Sequence, residues 1–346
     1  EERGLFATID HIMFENMGET DQLVAGNVKP SEVIKPSGSN AGPTPYHRRS
    51  SYLPQDTKKR FKWLIYDNNG SFNGWFDWLP LWMRVGYWSP FVVLSLVFVY
   101  TAIFLFKPAV LEFPPTVLEK LDVGEPRYFM GMPKETAIDL SIFIWGIVVM
   151  VQAKIALGSI GAFPISFTGW SWVLLTSRAG LDFMAWVATR HDADHLAGKL
   201  ATIGSSIRLV TITNACIVFT IWNFILLPII YFKSIPEGEK RRNFLKFNFG
   251  FFMTNIHLLN FPMAFVNILN GGRVRLFTMS DLWVAYLVIV LYSILYFFVM
   301  DRIGMHFYPI FNPRTSFSVV SIVGVLGLYY FLFLKWNEYI SLHGDL

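Results

Sequence analysis

The sequence predicts an all-α fold, a polytopic integral membrane helical bundle with a six-span core plus one extra N-terminal span, and three observations predict it. Of its 346 residues 53% are hydrophobic and only 16% charged, against about 25% charged in soluble domains. The 33 Phe, 14 Tyr and 12 Trp are hard to place in a soluble core, whereas a bilayer accepts Phe through its thickness and Trp or Tyr at both interfaces. The apolar residues also collect into seven stretches, near 88–107, 139–159, 165–187, 206–232, 247–269, 281–300 and 317–335. At 1.5 Å per residue each is long enough to cross a hydrocarbon core of about 30 Å.

Residues 1–62 are polar, with Gly, Ser, Asn and Pro between 35 and 55, and without helical or strand periodicity they read as an extended tail. Much of the net charge of +4 comes from Arg48, Arg49, Lys58, Lys59, Arg60 and Lys62, a cluster suited to an anionic membrane surface. No nucleic-acid module accompanies it, so nucleic acid is not an expected partner. The first residue is Glu1 rather than Met, which is expected of a removed leader or of a chain whose start is not fully defined. From 63 to 88, Trp63, Trp75, Trp78, Trp82 and Trp88 alternate with a few charges, the pattern of an interfacial anchor. The first span follows, then a loop at 108–138 marked by Pro114 and Pro115. Three regions result: a tail at 1–62, an anchor, first transmembrane helix and loop at 63–138, and a six-span core at 139–346.

Lys and Arg favour the tail and the loop KSIPEGEKRRNFLK. Four spans separate the two, so both fall on one side, the cytosolic or matrix side. No internal repeat is visible, which argues against a transporter built from inverted halves. Cys216 is the single cysteine, so no intrachain disulfide forms.

Polar groups at membrane depth are costly and each needs a partner, a cavity or a function. Arg178 and Asp182 are four apart and neutralise each other on one helix face. Thr176 points elsewhere, with the small Ala179 and Gly180 one turn on; a lone Thr in a span commonly bonds back to its own helix. His257 has Thr254 and Asn260 three residues to either side, and Pro262 five residues later. That proline removes a donor and kinks the helix near the histidine, although a buried histidine also serves simply as an interhelical hydrogen-bonding group. His191 and His195 in HDADH offer two ligands where zinc needs three or four, so the segment reads as a solvated loop with no metal. Gly271 and Gly272 read as a turn.

Four short patterns point to a family. They are GWSWVLLT, ending at Thr176; HLLNFP, beginning at His257; GMHFYPIF, with Gly304, Tyr308 and Pro309, leading to a closing helix with Trp336 and Asn337; and a charge-rich loop before the histidine span. Over roughly 139–340 the chain resembles the androgen-induced and androgen-dependent tissue factor pathway inhibitor-regulating proteins, membrane threonine hydrolases of fatty acid esters of hydroxy fatty acids. The resemblance implies Thr176 as nucleophile and His257 as general base, without metal or cofactor. Thr254, Asn260 and Tyr308 are the candidates to support the oxyanion. Membrane lipids are then the expected substrates and partners. The first 138 residues fall outside the resemblance and suit docking more than chemistry. They raise a second expectation, a non-catalytic accessory subunit of a large membrane assembly such as a mitochondrial respiratory complex, contacting other subunits through residues 1–138. The location is the mitochondrial inner membrane or the endoplasmic reticulum.

Overall fold

The computed structural model describes residues 90–113, 128–129, 131–157, 166–235, 237–269, 275–300, 308 and 317–343. The tail, the Trp-rich segment and the Gly271–Gly272 turn lie outside the described residues. Over the described residues each predicted apolar stretch is mostly helical, the fifth being broken at Phe249–Gly250. In chain order these are α1 (Pro90–Leu105), α2 (Lys134–Leu157), α3 (Phe167–Arg190), α4 (Asp194–Ser206) and α5 (Arg208–Thr220). They continue with α6 (Glu239–Asn248), α7 (Phe251–Leu269), α8 (Met279–Leu295) and α9 (Phe317–His343). Two short strands, β1 (Tyr128–Phe129) and β2 (Met132–Pro133), pair antiparallel just before α2.

Among the described residues five segments are long and apolar enough to cross a membrane: Lys134–Ile155, Asp194–Phe232, Phe251–Leu269, Met279–Val299 and Phe317–Leu342. α1 is a shorter apolar helix of 16 residues. α3 has the length, at 24 residues, but carries Arg178, Asp182 and Arg190. The first two are buried against neighbouring helices, so protein rather than lipid covers that stretch. The fourth apolar stretch begins earlier than its apolarity suggests, because helix resumes at Asp194, inside HDADH; only His191 to Ala193 form the expected loop, and His195 is in the first turn of α4. Asp192 turns that corner at φ 56°, a left-handed conformation that Asp tolerates better than most residues.

Local chemistry sets several helix starts. Ser166 caps α3 by accepting from the Gly169 N–H at 2.9 Å. Thr278 and Asp281 form a reciprocal capping box on α8. The direction of packing follows from side-chain register. α2 and α3 run antiparallel, with Gly146 against Thr176 and Gly180 against Phe143. α3 and α7 run parallel: Asn260 donates to Ser171 at 2.9 Å and Arg178 donates to Asn267, both pairs offset by 89 residues.

α1 lies antiparallel to α8. Val92 and Leu96 pack with Tyr292, Tyr296 and Ile322, while the other end of α1 accepts from Trp283 Nε1 at the Ile103 carbonyl, 3.0 Å away. Its outer face presents Phe91, Leu94, Phe98 and Leu105, so it is apolar all round, as a lipid-embedded helix is. α8 starts beside the start of α5, where Arg208 meets Arg275. α5 therefore ends, and α6 sits, at the end where α1 begins.

Candidate functional site

Thr176 sits on the buried face of α3, 3% exposed. It does not bond back to its own helix, and its Oγ1 has no hydrogen-bond partner. The hydroxyl fills the space over Gly146 of α2: a Cβ built there would overlap Thr176 Oγ1, with Thr176 Cβ and Cγ2 both at 2.9 Å. The side chain thus occupies a helix contact that only glycine admits.

His257 lies in a π-helical turn, Asn255–Leu259, inside α7. Pro262 accounts for it. Lacking an N–H, the proline leaves the carbonyl five residues back, that of His257, without its π-register partner. Asn223 Nδ2 supplies the missing donor at 3.1 Å. Asn223 itself lies in a π turn, Ile221–Leu226, at the end of α5, and Pro228 stands five residues after it. Two proline-relaxed turns therefore face each other, with the His257 ring stacked on Trp222 at 3.9 Å and 6°. Asn223→Leu is expected to destabilise the fold by about 1–3 kcal/mol by orphaning the His257 carbonyl. Thermal unfolding in detergent checks it, and Pro262→Ala in the same chain should not add its full separate cost.

A small cleft of about 10 Å³, room for one water-sized group, opens beside the ring. It is lined by Trp222, Asn223, Asn248, Phe249, Met253, Thr254, His257 and Leu258. Trp222 Nε1 donates to Asn248 Oδ1 at 2.9 Å across it. His257 Nδ1 is buried and without a partner.

Thr176 and His257 are not brought together. The register that pairs Ser171 with Asn260 sets Thr176 five residues beyond one partner and His257 three before the other. That separates them by about 12 Å along the bundle at 1.5 Å per residue. Thr254 shares the cleft with His257, but Asn260 is committed to Ser171. Tyr308 belongs to the cluster around α1, α8 and α9, where Thr168 hydrogen-bonds its phenol. Burial pushes that phenol above its ordinary pKa, with the hydrogen bonds opposing.

The most elaborate polar feature is elsewhere, and the sequence reading named only its first pair. Arg178 and Asp182 pair at 3.3 Å, both about 1% exposed. Arg178 also binds Asn267, whose Nδ2 donates to Asp139 at 2.8 Å. Gly204 of α4 admits Asp182 Oδ1, which would lie 2.8 Å from any Cβ there. A second knot follows. Arg275 grips Asp281 through two bonds of 2.7 and 2.9 Å and donates to Ser205 at 2.8 Å. Arg208 donates to the Arg275 carbonyl at 2.7 Å and lies over the Phe277 ring. Asn337 of α9 bonds both backbone groups of Phe277, at 2.7 and 3.1 Å. Asp139, Arg208 and Asp281 each stand at the start of an apolar stretch, and that position was the signal in the sequence. Among the described residues no group of three or more His, Cys, Asp or Glu could hold a metal.

Fold and site together define a polytopic all-α membrane protein whose helices are tied at one end by buried charge. Compared with family models, curated proteins and solved structures, the chain matches none.

Proposed function

We propose that this chain is a non-catalytic, membrane-embedded subunit of a larger assembly, such as a mitochondrial respiratory complex. The observation that carries this reading is the separation of Thr176 from His257. A threonine nucleophile needs its base within hydrogen-bond reach, about 3 Å or one water away. Here the two lie about 12 Å apart along the bundle, and the hydroxyl is closed in by Gly146. The apolar outer face of α1 and the aromatic-rich chain before it then serve for docking, and the inner membrane places the basic end in the matrix.

Extraction of native membranes in a mild detergent, followed by native electrophoresis, tests the reading. The chain is expected to migrate with other subunits, far above its own 39.8 kDa plus micelle. A chain that runs alone refutes it. In parallel, a lipid-like hydrolase probe is expected to label neither the wild type nor Thr176→Ala. Labelling that disappears in Thr176→Ala restores the hydrolase reading.

A further inference from the structure

We propose that the cleft beside His257 seats one headgroup hydroxyl of an anionic phospholipid of the glycerol or inositol kind. The proposal joins a buried polar floor to a charged rim. The floor holds His257, 8% exposed, with Nδ1 unpartnered, beside Thr254, Asn223 and Asn248. About 10 Å³ of space is too little for a phosphate and enough for one hydroxyl. A hydroxyl both donates and accepts, which suits a neutral imidazole nitrogen next to a threonine and two amides.

The rim is α6. Arg242, Lys246 and Phe249 follow at spacings of four and three, so they share one face, and all three are exposed. Phe249 also lines the cleft, which fixes that face at its mouth. Arg242 has one long exposed pairing, to Glu239 at 3.5 Å, of the kind that contributes little. The cationic side chains therefore stand where a phosphodiester would lie once its headgroup hydroxyl enters the cleft. Leu258 and Phe251, both exposed, continue the surface toward the hydrocarbon and would take the acyl chains. α6 sits at the end of the bundle where α1 begins, and its own Lys240, Arg241, Arg242 and Lys246 give that end the positive charge that faces anionic headgroups. The inference stands independently of the subunit reading.

The test is native mass spectrometry of the full chain, stripped of lipid and offered equal amounts of phosphatidylglycerol, phosphatidylcholine and phosphatidate. Phosphatidylglycerol should be retained over phosphatidylcholine by on the order of tenfold, because two basic side chains act on its charge. It should also exceed phosphatidate, which is anionic but has no alcohol hydroxyl in its headgroup. Arg242→Gln with Lys246→Gln, both on the exposed face, should reduce the first preference to what the headgroup hydroxyl alone supplies. Thr254→Val and His257→Phe should each abolish the second while leaving only the charge-dependent part of the first. Equal retention of phosphatidylglycerol and phosphatidylcholine overturns the proposal, as does equal retention of phosphatidylglycerol and phosphatidate, or an unchanged ratio in the α6 double variant.

Discussion

Arg178→Met is expected to destabilise the protein by about 3–5 kcal/mol, the cost of leaving a buried charge without its partner. Asp182 would remain at 2% exposure with its carboxylate aimed at Gly204 and its ion-pair partner gone, Arg208 being the cation left to act on it. Asn267 would lose the guanidinium that holds its oxygen while still donating to Asp139. The damage therefore reaches α2, α3, α4 and α7 together. Removing both charges, as Arg178→Met with Asp182→Leu, should recover most of the loss, since well-packed apolar pairs commonly equal buried ion pairs in stability. Thermal unfolding in mild detergent, followed by tryptophan fluorescence, measures all three variants against wild type. A single Arg178→Met that unfolds within about 1 kcal/mol of wild type, the range of an exposed pair, would mean that the pair is hydrated rather than buried.

The same residues show what the sequence does and does not disclose. The seven helices were legible because apolar length is a one-dimensional property, and the Arg178–Asp182 pair because a spacing of four fixes a helix face. Asp139 was not linked to Asn267, nor Arg208 to Arg275, since those contacts join residues 128 and 67 positions apart and depend on how helices register. The π turn at His257 was half visible. Pro262 announced a freed carbonyl, but the partner that takes it, Asn223, needed the second proline motif at Pro228 to be read alongside the first. The catalytic pairing of Thr176 with His257 came from motif order alone. Order along the chain says which helices carry two residues, and not at what depth; the offset of 89 between α3 and α7 sets that depth and places the two on different levels.

If Thr176 is a packing residue, Gly146→Ala should destabilise the protein by about 1–3 kcal/mol, the usual cost of overpacking a filled contact. The added methyl overlaps the threonine hydroxyl and has no open direction, because Thr176 Cβ and Cγ2 both lie 2.9 Å from it. Thr176→Ala alone should change stability by less than about 1 kcal/mol, since it removes a buried hydroxyl that has no partner and the methyl loss is small. The informative variant carries both changes. Thr176→Ala deletes Oγ1 and Cγ2, leaving a single Cβ contact at 2.9 Å that a slight separation of α2 and α3 relieves, so it should restore most of what Gly146→Ala loses. Such strong non-additivity is the signature of two residues in direct contact. Unfolding midpoints of the four chains measure it. Additive costs, or a neutral Gly146→Ala, would show that the space over Gly146 is open and would return Thr176 to contention as an accessible nucleophile.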